Sequence, residues 1–374
     1  MEQLTLGIVA TSRKPDERRL PIHPDHLGRI DEDLRRRIYL ERGHGERFGF
    51  PDAELARLVA GVRSREQLFE ECDIVVLAKP LAPDLEQMRP GTVLWGWPHL
   101  VQDEELAQAA IDRKLTVIAW ESMNHRTPDG AFRLHVFHRN NEIAGYASVL
   151  HALSLTGTAG AYGPRRRAAV IGFGATGRGA VTGLFALDVV DVDVLTQRDV
   201  AAVAAPMAPA RLVNYFRDGR ALRVEGRGGM AEFLAEHDIV VNCILQDTDA
   251  PLIFVSNDEL SLFARSSLIV DVSCDEGMGF EWARPTSFAD PMITVGDGVH
   301  YYAVDHSPSY LWNSATWEIS EALLPFLGTV MAGPAAWERE PTIERAIEMR
   351  DGVVQNPKIL SFQHRAPEYP HPRT

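Results

Sequence analysis

The chain has little cysteine, little lysine and no long apolar run. Three cysteines in 374 residues, Cys72, Cys243 and Cys274, are widely spaced and odd in number. They form no CxxC pair and no disulfide framework, which suits a reducing compartment and predicts a cytoplasmic protein. No charged segment followed by an apolar stretch opens the chain, so no export signal is expected. The longest apolar runs, such as 74–78 and 239–241, are strand-sized, far below the roughly 20 residues of a membrane helix. Only four lysines occur, and 38 Lys+Arg face 52 Asp+Glu, a formal charge of -14. A surface this acidic repels phosphate backbones, so neither nucleic acid nor membrane is an expected partner. What is present is ordinary for a globular protein: 45% hydrophobic and 24% charged residues, with 29 Gly and 23 Pro. Those fractions exclude collagen-like, coiled-coil and disordered classes. The length predicts two or three domains at about 150 residues each.

Short β-branched runs alternate with helical patterns in both halves, the signature of parallel sheets built from βαβ units. The expected strands are 4–10, 37–41, 73–78, 92–97 and 115–120 in the first half, and 167–172, 191–196, 238–244 and 267–273 in the second. Helices are expected over 103–113, over about 141–156 with Asn140 or Asn141 as cap and Ile143, Ala147, Leu150 and Ser154 on one face, and over 310–327 and 342–350. The stretch 124–139, rich in His, Arg and Asp, and the tail PEYPHPRT read as irregular.

Gly172-Phe173-Gly174-Ala175-Thr176-Gly177 follows an apolar strand and opens a helix-compatible stretch. A bare GxGxxG carries little information, but this one has the strand and helix that a dinucleotide site requires. Gly172 permits the tight turn, Gly174 lets backbone approach a pyrophosphate, and Gly177 allows close helix–sheet packing, while the helix N-terminus offers N–H groups to the anion. The second strand of such a unit normally ends on a carboxylate for the ribose hydroxyls of NAD. Here it ends Thr196-Gln197-Arg198. A missing carboxylate removes repulsion against a 2'-phosphate and a guanidinium binds one, so NADPH is expected over NADH. The competing reading leaves Arg198 in solvent and moves the acidic role to Asp199.

In the N-terminal half, Arg18 and Arg19 follow the first strand, Lys79 ends strand 73–78, His99 follows 92–97 and Glu121 follows 115–120. These are carboxyl ends of one expected sheet, the edge where open parallel sheets bind ligands. The matching edge in the second half carries the glycine loop and Cys274-Asp275-Glu276-Gly277. Each residue has a bland alternative: a solvated lysine, a hydrogen-bonded core histidine, a surface arginine pair, a turn aspartate, a structural glutamate. Together they match hydride transfer to a carbonyl or imine carbon beside a carboxylate. One of Arg18 and Arg19 would fork onto the carboxylate with Glu121 at the same substrate edge, Lys79 and His99 would polarise and protonate, and Asp275 would assist proton traffic. No metal set is apparent, since His135 and His138 lack Cys or His partners at ligand spacing.

The segments Glu17-Arg18-Arg19-Leu20-Pro21-Ile22-His23-Pro24, Leu77-Ala78-Lys79-Pro80, Gly96-Trp97-Pro98-His99, the glycine loop, and Val270-Asp271-Val272-Ser273-Cys274-Asp275-Glu276-Gly277 resemble the alanine dehydrogenase and pyridine nucleotide transhydrogenase superfamily. Within it, Ala144-Gly145-Tyr146-Ala147, Tyr301-Tyr302 and Ser307-Pro308-Ser309 are similar to the N(5)-(carboxyethyl)ornithine synthases, which join pyruvate to a side-chain amine using NADPH. The resemblance implies two Rossmann-like α/β domains with a cleft between them. The catalytic domain would be discontinuous, 1–139 plus 309–374, with the dinucleotide domain 140–308 inserted. It also implies that Arg19 binds the oxo-acid carboxylate, Lys79 the carbonyl, His99 acts as acid/base and Asp275 is the active-site carboxylate. A homo-oligomer of unspecified size is expected. The competing functions are an alanine dehydrogenase-like enzyme using ammonia, a saccharopine dehydrogenase-like enzyme, and a catalytically silent NADP-binding protein. Two segments depart from the relatives, Asp305-His306-Ser307-Pro308 and the loop 124–139, and both are expected to border substrate.

Overall fold

The computed structural model describes residues 3–198, 205, 207–219, 221–247 and 250–373. The chain divides into two compact units, Met1–Phe137 with Trp312–Thr374, and His138–Leu311. Each is a twisted, mostly parallel sheet covered on both faces.

The first unit holds an eight-stranded sheet. From the first strand, Leu6–Ile8, the chain builds outward one way through Ile38–Glu41 and Gly61–Arg63, and the other way through Ile74–Leu77, Val93–Gly96 and Thr116–Ala119. All of these pair in parallel. Ile74–Leu77 is buried at every position, as a strand sandwiched by helices must be. Alternate residues feed two cores: Leu6, Ile8, Ile74 and Val76 on one face, Val9, Val75 and Leu77 on the other. The order reverses between Leu6–Ile8 and Ile74–Leu77, so a topological switch point opens at the ends of these two strands.

The expected helix over 342–350 is corrected. One helical turn, Pro341–Glu344, gives way to a strand, Ile347–Arg350, which lies antiparallel on Thr116–Ala119. The spacing Ile343, Ala346, Ile347 imitates a helix face, but the open edge of Thr116–Ala119 offers unpaired backbone groups that a strand satisfies. The expected 310–327 helix is also divided, into Trp312–Leu323 and Leu327–Met331, with a 3-10 turn holding Pro325 between them. Part of the stretch expected to be irregular forms a hairpin, Asn124–Arg126 with Phe132–His135.

The second unit opens with a helix from His138 to Leu155, starting three residues before the expected 141. Its buried side includes Gly145, Ala147, Ser148, Val149, Ala152 and Leu153; of the expected face only Ala147 is buried, while Ile143 and Leu150 are half-buried and Ser154 is exposed. Small residues decide this. A Cβ on Gly145 would stand 2.0 Å from the Thr176 carbonyl oxygen, and one on Gly179 1.8 Å from that of Glu142, so the two helices touch through backbone. Among the described residues the sheet of this unit has nine strands, and its order reverses between Arg167–Ile171 and Ile239–Asn242. No helix among the described residues is long and apolar enough to cross a membrane.

Candidate active site

In the first unit, the switch point presents Lys79, directly after Ile74–Leu77, with its carbonyl held by the Ser12 hydroxyl at 2.8 Å. His99 follows the neighbouring strand Val93–Gly96 in a left-handed conformation, φ 49°. Its main-chain N–H donates to Glu121 Oε1 at 2.7 Å, and its carbonyl accepts the N–H groups of Gln102 and Asp103. Pinned so, the imidazole meets the lysine: Lys79 Nζ lies 2.6 Å from His99 Nε2. A hydrogen bond needs one acceptor, so an ammonium at Lys79 requires a neutral imidazole with its proton on Nδ1. His99 Nδ1 faces Glu121 Oε1 at 3.8 Å. Three residues predicted from three separate strand ends thus form one hydrogen-bonded cluster.

Behind it stands an aromatic wall of Trp97, Trp120 and Phe137, with ring centroids 4.8 to 5.1 Å apart. Arg19 is buried and lies over Trp97, its guanidinium carbon 5.2 Å from the ring centroid. Its fork grips a residue that sequence reasoning missed: Nε and Nη2 donate to the two oxygens of Glu17 at 2.8 and 2.5 Å. Glu17 therefore orients the guanidinium and occupies its Nε/Nη2 edge, which corrects the expectation that this fork is open to a substrate carboxylate. The signal for it was the acid two residues before Arg19, inside the quoted segment. Arg18, by contrast, is exposed beside Asp16. The hairpin is tied to this region through His135 Nε2, 3.2 Å from the Glu121 carbonyl oxygen. A cavity of about 580 Å³ opens on the hairpin, lined by His125, Arg126, Arg133 and Arg345 among others.

In the second unit, Gly172 takes φ 95° and turns the chain from strand Arg167–Ile171 into helix Ala175–Ala186. A Cβ at Gly177 would meet the Gly172 carbonyl oxygen at 2.1 Å, whereas nothing lies within 4 Å of one at Gly174. The first enforces close helix–strand packing and the second leaves backbone open to a pyrophosphate, so the loop fits a dinucleotide. Thr196 is buried and its hydroxyl accepts the Arg198 N–H at 3.1 Å, while Gln197 and Arg198 are exposed. Asp199 lies outside the described residues.

Asp275 sits half-buried after strand Leu268–Asp271, and burial raises its acid above the usual carboxylate range. Its segment is held by a buried network that sequence reasoning did not single out. Asp271 accepts from Asn242 Nδ2 at 2.9 Å, the Cys274 N–H at 3.1 Å and the Tyr301 hydroxyl at 2.8 Å. Burial pushes the Asp271 acid up to about 6. Cys274, also left-handed at φ 47°, is fixed by this bond, so Asp271 sets the turn that carries Asp275. The signal was the run of polar residues ending adjacent strands, Asn242 and Asp271. His306 is buried against Asp305 at 2.6 Å.

Residues 7–144 match the alanine dehydrogenase/PNT N-terminal domain and residues 151–357 its C-terminal domain. The chain belongs to the alanine dehydrogenase/PNT family. It is 26% identical over 318 residues to an N(5)-(carboxyethyl)ornithine synthase of Clostridium botulinum, covering 82% of this chain and 89% of that one. It is 25% identical over 374 residues to an alanine dehydrogenase of Mycobacterium tuberculosis, covering 94% and 95%. A solved L-alanine dehydrogenase superposes with a TM-score of 0.75 at 21% identity over 96% of this chain and 99% of that one, sharing the fold. Membership makes the chain an alanine dehydrogenase-like oxidoreductase.

Proposed function

We propose that the protein is an NADPH-dependent enzyme that reduces the imine formed between a small 2-oxo acid, pyruvate first, and the primary amine of an amino acid such as ornithine or lysine. The observation that carries this reading is the Lys79–His99 contact at the switch point. Carbonyl and amine condense with loss of water, and a hydride with a proton then completes the secondary amine. Bound NADPH supplies the hydride. Lys79 holds the carbonyl oxygen of the oxo acid, and His99 takes the proton released by the amine and returns one to the departing oxygen. Arg19, steadied by Glu17, directs its positive charge at the oxo-acid carboxylate, with Glu121 at the same edge. Asp275 handles protons in the second unit's part of the reaction.

The basic hairpin favours a two-substrate reaction over one using ammonia. Arg126, Arg133 and Arg345 outnumber Asp129 and Glu340 in the cavity lining, an excess of positive charge that suits the carboxylate of a second amino acid, a surface that ammonia does not need. NADPH consumption measured with pyruvate plus ornithine, lysine or ammonium, with product masses, decides. An adduct heavier than either substrate is expected. Free alanine from ammonium, with no adduct from any amine, would reverse the reading in favour of an alanine dehydrogenase-like enzyme.

A further inference from the structure

The strand Ile347–Arg350 pairs irregularly with its neighbour. Ile347 lies opposite Ile118 and Met349 opposite Val117, so two steps on one strand meet one on the other. This bulge sends Ile347 into the core on one face of the sheet and Met349 into the core on the other. Glu348, the residue between them, is 4% exposed, and its carbonyl accepts the N–H groups of Gln355 and Asn356. Its Oε1 accepts from the Ser122 hydroxyl at 2.7 Å and Asn356 Nδ2 at 3.1 Å. Ser122 adjoins Glu121, whose Oε1 carries the His99 N–H. The remaining oxygen of each acid, Glu121 Oε2 and Glu348 Oε2, is buried with no hydrogen-bond partner among the described residues.

Two buried carboxylate oxygens that face no protein donor are costly if both acids ionise, and one proton between them removes the cost. We infer that Glu121 and Glu348 hold a single proton between them, and that Glu348 thereby sets the charge facing His99, acting as a positioning residue for the acid/base. The role of His99 in this statement rests on the function proposed above; the proton sharing does not. Burial first, then repulsion from Glu348, raises the Glu121 acid, against the opposing pull of Lys79 and the His99 N–H. Burial raises Glu348 too, against its bonds from Ser122 and Asn356. His135 Nε2, 3.2 Å from the Glu121 carbonyl oxygen, is a further titratable group beside the pair. With the proton on Glu121, the His99 ring faces a neutral acid. With the proton on Glu348, it faces a carboxylate 3.8 Å from Nδ1, which favours the imidazolium.

Glu348→Gln keeps an acceptor for Ser122 and Asn356 and removes the shared proton. In protein labelled at histidine, without nucleotide or substrate, the NMR titration of His99, assigned with His99→Gln, should move up by roughly half to one pH unit. Glu121→Gln with Glu348→Gln should show no rise over Glu121→Gln alone. A His99 midpoint unmoved by Glu348→Gln in a cooperatively folded protein overturns the inference. Thermal unfolding gives a second test. A native acid raised above its unfolded value binds more protons than the unfolded chain, so wild-type stability is lost as pH climbs. Glu348→Gln should gain on wild type between pH 5.5 and pH 8.5, and an equal difference at both values counts against sharing. Should Glu348→Gln fail to fold, Glu121→Gln takes the same unfolding test. Neither readout uses turnover, so a failed condensation assay leaves this result standing, and the reverse.

Discussion

At the scale of single residues, the chemistry depends on how side chains without covalent activation are placed. Lys79 and His99 come within 2.6 Å because Pro80 stops one strand and a left-handed turn at His99 redirects the next. Removing either group deletes one half of a proton-handling pair while leaving the dinucleotide loop, which belongs to the other unit, untouched. Lys79→Ala and His99→Ala should each lower turnover by about 100-fold to 10,000-fold, with NADPH affinity by fluorescence titration near wild type. Near-normal turnover in a folded variant would return that residue to a solvated or structural role.

At the scale of elements, two devices in the second unit make separate predictions. Helices His138–Leu155 and Ala175–Ala186 meet through Gly145 and Gly179, where a methyl group has no room. Gly179→Ala should cost about 1 to 3 kcal/mol by urea unfolding, as overpacking does, with loss of nucleotide binding wherever the glycine-loop helix shifts. A change below ~0.5 kcal/mol would mean that the helices separate easily. The second device is the end of strand Asp191–Thr196, where exposed Arg198 follows a threonine whose hydroxyl is occupied by the turn. Arg198→Ala should weaken NADPH binding and leave NADH binding nearly unchanged. Equal affinities for the two nucleotides in the wild type would remove the case for NADP.

For the molecule as a whole, pH acts with opposite signs on different buried groups. His44 is buried with Nε2 on the Ile22 carbonyl, and burial lowers it to about 4, while burial also lowers His23 and His26. Below about pH 6.5 the unfolded chain takes up protons that the folded one refuses, so stability falls as pH falls toward 4. Asp271, raised to about 6, works the other way, its contribution being lost as pH rises from about 4 through 6. His44→Gln keeps a donor for Ile22 and should remove about 2 kcal/mol of the stability lost between pH 7.5 and pH 5, read by urea unfolding. An unchanged pH dependence would show that His44 is hydrated or already charged.

The sequence by itself determined the α/β class, the family, and the order in which strands deliver Lys79, His99, Glu121, the glycine loop and Asp275 to strand ends. Local patterns suffice there, because a buried parallel strand is a short apolar run and a phosphate-binding turn needs glycine where backbone must bend or approach. Residues that meet only through pairing or packing were beyond that reach. Glu348 lay in an expected helix until the open edge of Thr116–Ala119 claimed it as a bulged strand, and Glu17 was one acid among many until it closed on Arg19. Both depend on which groups remain unsatisfied once distant segments have come together. The buried face of His138–Leu155 followed the same rule: apolar periodicity pointed to Ile143 and Leu150, but close backbone approach at Gly145 outweighed the area those side chains offered. Periodicity along a chain reports what a segment can bury, whereas the partner across the sheet or helix pair decides what it does bury.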